Sequence, residues 1–172
     1  DSAGIQGTGA ANQPRGVLNT AGIGAEVGGA NGAAATYANM VNLETTVATA
    51  NADVDGMGYL VPPGQRGKLK QIAQLANTAN IPVWHDGEVN GYRAEVSTQV
   101  PSNLTKGTAV GICSAIIFGD WTQLIYGEWG VLELIVDPFR LKKQGMIETT
   151  SFQMADVALR LPAAFAAMQD AL

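Results

Sequence analysis

Residues 118–138, Phe-Gly-Asp-Trp-Thr-Gln-Leu-Ile-Tyr-Gly-Glu-Trp-Gly-Val-Leu-Glu-Leu-Ile-Val-Asp-Pro, constrain the fold more than any other stretch. Trp121 and Trp129, two of the three tryptophans, stand among Leu, Ile, Tyr and Val, between turn signals at Gly119-Asp120 and Asp137-Pro138. Aromatic and β-branched residues fit a pleated, half-buried surface, while Gly, Asp and Pro interrupt it. The segment therefore reads as two strands parted at Trp129-Gly130, with both tryptophans buried in a packed sheet or at a subunit contact. It contains no nucleophile, base or metal-ligand cluster. That is the chemistry of packing, not of a reaction centre.

A chain of 172 residues suits one domain, or a small domain carrying a remnant of another. Charged residues make up 15% of it, against about 25% in an average soluble protein, while the hydrophobic fraction of 47% is ordinary. Interface cores are depleted of Lys, Glu and Asp, so this balance predicts faces covered by partners. A net charge of -5 with ten Lys and Arg argues against holding nucleic acid by phosphate neutralisation. The closest basic cluster, Arg140-Leu141-Lys142-Lys143, reads as a solvated turn. Cys113 is the lone cysteine, which leaves no disulfide framework, redox pair or zinc knuckle and is compatible with a reducing compartment. No window approaches the roughly 18 apolar residues of a membrane span, and the first residues lack the basic and apolar regions of a signal peptide. The chain opens on Asp1 and reads as part of something longer.

Residues 1–35 are crowded with Gly, Ala, Asn and Thr and show neither helical nor strand periodicity, so they read as an extended segment. Residues 36–172 form the second unit. A helix is expected over 36–51, with Thr36 as N-cap, Tyr37, Met40, Val41, Val47 and Ala48 at helical spacing, and Glu44 interrupting that face. Tyr59-Leu60-Val61 reads as a strand, and Pro62-Pro63 opens a helix expected to reach residue 77 and to bury Leu69, Ile72, Ala73 and Ala76. Asp86-Gly87 is a type I′ hairpin signal, followed by alternation of Tyr92, Ala94 and Val96 with Arg93, Glu95 and Ser97. Residues 107–118 read as another strand and 152–161 as a long last one, before Pro162 opens a short helix through Phe165 and Met168. The order predicts an α+β fold, a mixed sheet flanked by helices.

Taken in order, several stretches resemble the major capsid (coat) proteins of tailed double-stranded DNA bacteriophages. The Phe118-Gly119-Asp120-Trp121 turn, the Gly-aromatic break and Asp137-Pro138 look like that family's C-terminal half. Gly7-Thr8-Gly9 followed by Pro14-Arg15-Gly16-Val17-Leu18-Asn19 is similar to its Gly-rich passage after the long helix. Gly58-Tyr59-Leu60-Val61-Pro62-Pro63 resembles its strand-Pro-helix unit. Further on, Gly91-Tyr92 with Val96-Ser97 and Val100-Pro101, and finally Asp156-Val157-Ala158-Leu159-Arg160-Leu161-Pro162 with Phe165, keep the same order. The family's N-terminal arm, long β-hairpin loop and spine helix have no counterpart. The resemblance implies the tailed-phage capsid fold, with residues 1–35 a remnant of the peripheral domain and 36–172 an axial-domain-like region with its closing strand and helix. It further implies a structural virion protein, not an enzyme. Its partners would be other copies of itself, in pentamers and hexamers when full length, with scaffold and protease during assembly. Neither sequence-specific nucleic-acid binding nor a membrane is implied, and the protein would reside in the virion after assembly in the host cytoplasm.

The alternative function is a nucleotide-binding enzyme using the loop Gly22-Ile23-Gly24-Ala25-Glu26-Val27-Gly28, with Glu44 about 20 residues on as the ribose-binding acid. Its context is poor, because Gly29 to Gly32 continue the glycine run where a helix N-terminus should begin. His85 beside Asp86 reads as a solvated turn residue without a nucleophile partner. Asp53 and Asp55 before Gly56 lack the other ligands of a calcium loop. Cys113 reads as core, and Asn103-Leu104-Thr105 as a chance glycosylation pattern. Trp84, Trp121 and Trp129 read as sheet packing rather than a ligand groove. No residue is assigned a catalytic, cofactor-binding or metal-binding role, and no cofactor is expected.

Overall fold

The computed structural model describes residues 2–54, 56–75 and 81–172. The first 35 residues are more regular than their composition suggests. A single helical turn, α1 (Ser2–Gln6), buries Ile5, and a 3₁₀ turn buries Val17 and Leu18. Strand β1 (Gly24–Glu26) then runs parallel to the last strand of the chain. Long-range pairing organises this segment, and no local period can announce it. Gly24 sits close to its neighbours: a Cβ there would lie 2.5 Å from Thr46 Cγ2 and 3.1 Å from the Ala166 Cβ, so those side chains would have to shift.

Helix α2 (Tyr37–Thr49) starts where its capping residues place it. The Thr36 hydroxyl accepts from the Asn39 N–H at 3.3 Å, and Asn39 Oδ1 accepts from the Thr36 N–H at 3.0 Å, which satisfies two of the donors left open at a helix start. Met40, Leu43 and Val47 form its buried stripe against β1 and the central strands. Of the side chains expected there, Tyr37, Val41 and Ala48 are only half-buried, and Leu43 takes the central position.

Strand β2 (Gly58–Val61) leads through Pro62 into α3 (Pro63–Leu69), which stops well short of residue 77. The chain is diverted into a tertiary pairing: the Gln74 N–H donates to the Ile81 carbonyl at 2.9 Å and the Val83 N–H to the Ile72 carbonyl at 2.8 Å. Gly64 and Gly67 leave α3 little propensity with which to resist. Ala76 lies outside the described residues. Strands β3 (Trp84–His85), β4 (Glu88–Val89) and β5 (Tyr92–Val96) make a meander with two tight turns. Asp86 and Gly87 have φ of 49° and 86°, and Asn90 and Gly91 have 52° and 78°, the positive values that a type I′ turn demands. The second turn carries the same Asn-Gly signal but is not singled out by the sequence reading.

Strand β6 (Leu104–Lys106) folds back on β7 (Ala109–Gly119), the buried centre of the molecule. Then come β8 (Leu124–Asp137), β9 (Glu148–Leu159) and β10 (Phe165–Ala171). The main sheet is mixed, in the order β1-β10-β7-β2-β5-β4-β3, with β6 paired to β7 at one end. β8 and β9 stand apart as a two-stranded ribbon.

Residues 165–171 form a strand, not a helix: Phe165, Ala166, Ala167 and Met168 are all buried, between β1 and β7, and sheet pairing on both sides overrides the helix propensity of Ala and Met. The expected break at Trp129-Gly130 is a bulge inside one continuous strand, where Gly130 sits at φ 76° and the register shifts between Trp129 and Glu133.

The core gathers around Tyr59, Phe118 and Tyr92. The Phe118 ring lies 4.5 Å from that of Tyr59 and 5.1 Å from that of Tyr92, and the Tyr59 hydroxyl donates to the Met40 carbonyl at 2.9 Å, tying β2 to α2. Above them, Tyr37 donates to Asn90 Oδ1 at 2.8 Å, Asn90 donates to the Glu44 carboxylate, and Tyr92 donates to the same carboxylate at 3.2 Å. Glu44 thus interrupts the apolar face of α2 in order to anchor the Asn90-Gly91 turn. Burial pushes the Tyr59 phenol well above its usual range, and the nearby Glu44 charge adds to that against an opposing hydrogen bond from Asn90.

Candidate assembly surface

The ribbon emerges from the main sheet at the Phe118-Gly119-Asp120-Trp121 turn. The Asp120 carboxylate is buried and accepts from the Thr122 hydroxyl at 2.7 Å, the Thr122 N–H at 2.9 Å and Gln123 Nε2 at 2.9 Å. Burial raises its pKa, but these three donors outweigh that and hold the carboxyl below its ordinary value. The Arg160 N–H closes the other leg of the ribbon on the Gln123 carbonyl at 2.9 Å. Trp121 is half-buried at this root, where its indole N–H donates to the Gly58 carbonyl at 3.1 Å and its ring meets Phe165 edge-on.

Beyond the root the side chains point into open space. Successive residues of a strand face opposite sides, so the pairs Ile125–Ala158 and Trp129–Met154 lie on one face, and Leu124–Leu159 and Tyr126–Val157 on the other. Both faces are largely apolar in the half nearest the root, while farther out Leu134, Ile135 and Val136 stand opposite Ser151, Thr150 and Thr149. Trp129 is 56% exposed, Val131 84% and Phe139 73%, and Leu134, Ile135, Val136, Phe152 and Met154 are exposed as well. The expectation that Trp129 packs inside a sheet therefore fails within this chain, because the ribbon has no layer covering it. An isolated two-stranded ribbon is marginal in water and ordinarily needs a third strand or a helix against its apolar side.

The first residues of the chain reach the ribbon at two places. Gly4 lies beside Val157, close enough that a Cβ would touch its methyl groups at 3.7 Å. Asn12, Gln13 and Pro14 border an open cleft of about 460 Å³ whose other wall is Trp129 and residues 153–156. At the far tip the Asp137 carboxylate accepts from the Phe139 N–H at 2.8 Å, Arg140 pairs with Glu148, and Lys142 and Lys143 are exposed, as expected of a solvated turn.

The residues weighed for chemistry are not brought together. Gly24 to Glu26 of the glycine-rich loop form strand β1, and the next helix after the loop begins only at Tyr37. The amides that a pyrophosphate would need are already engaged: buried Asp170 accepts the Gly28 N–H on both carboxylate oxygens at 3.1 Å and the Gly29 N–H at 3.3 Å. This geometry gives the nucleotide-loop alternative no support, and Glu44, its supposed ribose ligand, is bound to Asn90 and Tyr92. Asp170 escaped the sequence reading, although a lone carboxylate inside the apolar run 165–172 was the available signal. His85 is exposed at its turn, 3.2 Å from Asp86. Cys113 is fully buried and Trp84 nearly so. Asp53 and Asn103 are exposed, and Asp55 lies outside the described residues. Among the described residues no group of three or more His, Cys, Asp or Glu could hold a metal ion.

The phage capsid family profile matches residues 1–170. The chain is 36% identical over 167 residues to the major capsid protein of Halomonas phage phiHAP-1, a match covering 94% of this chain and 24% of that protein. Its fold is similar to the capsid subunit of an empty GTA particle, with a TM-score of 0.66 at 18% identity over 99% of this chain and 60% of the other. It is likewise similar to the capsid subunit of Myoviridae phage XM1, with a TM-score of 0.64 at 15% identity over 99% and 59% of the two chains. This chain thus spans about a quarter of the phiHAP-1 protein and about three fifths of these two capsid subunits.

Proposed function

This chain belongs to the phage capsid family, and from that premise we propose that it is the C-terminal part of a major capsid subunit whose full-length form self-assembles into the icosahedral head shell enclosing DNA. The observation that carries the reading is the ribbon. A soluble monomer rarely exposes large contiguous apolar surface, yet Ile125, Tyr126, Trp129, Val131, Leu132, Leu134, Ile135 and Val136 of β8 and Phe152 and Met154 of β9 are all exposed. Covering each such side chain is worth on the order of 1.5–3 kcal/mol. In the full-length subunit these side chains are available to be covered by its remaining segments and by neighbouring copies.

Residues 1–35 are the remnant of the peripheral domain in this proposal, and 36–172 the axial-domain-like region with its closing strand. The placement of Gly4 and of residues 12–14 against the ribbon supports the first assignment. The subunit works by geometry: a heterologous contact repeated from copy to copy until rotation closes a pentamer or hexamer. No residue is given a catalytic, cofactor or metal role. Other copies of the protein are its partners, with scaffold and protease acting during assembly in the host cytoplasm and the mature protein residing in the virion.

Sedimentation of this chain and of the full-length parent in one buffer tests the proposal. Specific interfaces bury about 1,200–2,000 Å², much of which falls to segments this chain does not contain. The chain alone is expected to be monomeric or weakly associated at micromolar concentration, and the full-length protein to form capsomers or shells. A full-length protein that stays monomeric under every assembly condition overturns the reading.

A further inference from the structure

Residues 56–85 contain no Asp or Glu, although the chain has 15. Their three Lys and Arg residues, Arg66, Lys68 and Lys70, lie on α3 or at its C-cap, and all are exposed. None of the three is in an ion pair among the described residues. The helix holds them on a fixed base, since Gln65 and Leu69 are buried beneath it and Gln65 Nε2 donates to the Ala171 carbonyl at 3.1 Å. Gly64 and Gly67 add a second property. Neither has positive φ, and a Cβ on either would meet nothing within 4 Å. Glycine weakens a helix relative to alanine, and neither conformation nor packing inside this chain calls for it here. The outcome is a positive helix face, without side chains at 64 and 67, on a chain whose net charge is -5.

We propose that the exposed face of α3, formed by Gly64, Arg66, Gly67, Lys68 and Lys70, is a contact onto which the acidic surface of a second copy of this chain docks. The inference rests on the capsid reading and names one of its subunit contacts. Charge complementarity selects the occupant, because every carboxylate of the chain lies outside residues 56–85, so a neighbouring copy brings a surplus of negative charge. Opposed charges of this kind speed encounter and fix register. A head-to-tail ring needs two different patches on each subunit, and a basic helix on an acidic body supplies such a pair. With no side chains at 64 and 67, the neighbour's backbone can come close while the long Arg and Lys side chains reach over it.

Two variants of the full-length protein test this. Arg66→Glu/Lys68→Glu/Lys70→Glu is expected to slow capsomer formation about tenfold or more at low salt. That difference should close near 1 M salt, where the Debye length is about 3 Å. Gly64→Ala/Gly67→Ala is expected to raise the melting temperature of the unassembled subunit by about 2–6 °C, which shows that it folds, and yet to weaken assembly. Wild-type assembly rates and salt dependence in both variants overturn the inference, as does slowing that persists unchanged at high salt. Normal shells from the charge variant with reduced retention of nucleic acid would assign the face to nucleic acid instead. A wild-type protein that never assembles contradicts the capsid reading, whereas wild-type assembly beside unaffected variants contradicts only the α3 contact.

Discussion

Replacing Asp170 tests whether the glycine-rich loop is held by the protein itself. Its carboxylate is 3% exposed and accepts the Gly28 and Gly29 amides at 3.1–3.3 Å. Hydrogen bonds to charged groups contribute about 1.5–3 kcal/mol each, which for two amides would reach about 3–6 kcal/mol. Two effects reduce the sum. Asp170→Ala also removes the cost of burying a carboxylate, and Gly28 and Gly29 are only half-buried, so water can reach the freed amides. The expected net loss is about 2–3 kcal/mol, or roughly 4–12 °C in melting temperature for a domain of this size. Asp170→Asn keeps an accepting oxygen and should lose about half as much. Urea unfolding gives the stability, and amide hydrogen exchange locates the effect at Gly28 and Gly29. An Asp170→Ala protein within about 0.5 kcal/mol of wild type, with exchange at those two amides unchanged, would refute the clamp.

Three other perturbations probe separate parts of the account. The Asp120 carboxyl is held below the ordinary aspartate value by its three donors, so the unfolded chain binds the extra proton and the contribution of Asp120 is present above about pH 4 and lost as pH falls through the folded value. Asp120→Asn should therefore flatten the acid limb of a urea-midpoint titration, and an unchanged limb would show that the turn does not depend on its charge. Phe118→Ala, which empties the space between Tyr59 and Tyr92, should cost about 3–5 kcal/mol in chemical denaturation. Thr36→Ala should cost about 1 kcal/mol by the same assay and speed exchange in the first turn of α2.

What the sequence disclosed and what it withheld follow the range of the forces involved. Thr36 and Asn39 cap α2 through neighbouring atoms, Asp86-Gly87 sets its own backbone, and Tyr92, Ala94 and Val96 alternate, so these elements were legible. Residues 165–168 were not, because Phe-Ala-Ala-Met after a proline is locally a helix and becomes a strand only between β1 and β7, one of which is about 140 residues away in sequence. Helix α3 ended early for the same reason, a pairing of residues 72–74 with 81–83. The assembly surface was half legible. The apolar strand at 124–137 could be read from composition, but its lack of any covering layer could not, since an apolar strand looks the same in sequence whichever molecule buries it. Family resemblance supplied the family where the residues alone did not.

The central claim is that the β8–β9 ribbon is covered in the assembled full-length protein, and a cryo-electron-microscopy reconstruction of that protein expressed alone tests it most directly. The account predicts closed shells or capsomer rings in which Trp129, Leu134, Phe152 and Met154 are covered by other protein segments. Particles in which both ribbon faces remain open to solvent, or a protein that forms no particle at all, would contradict it.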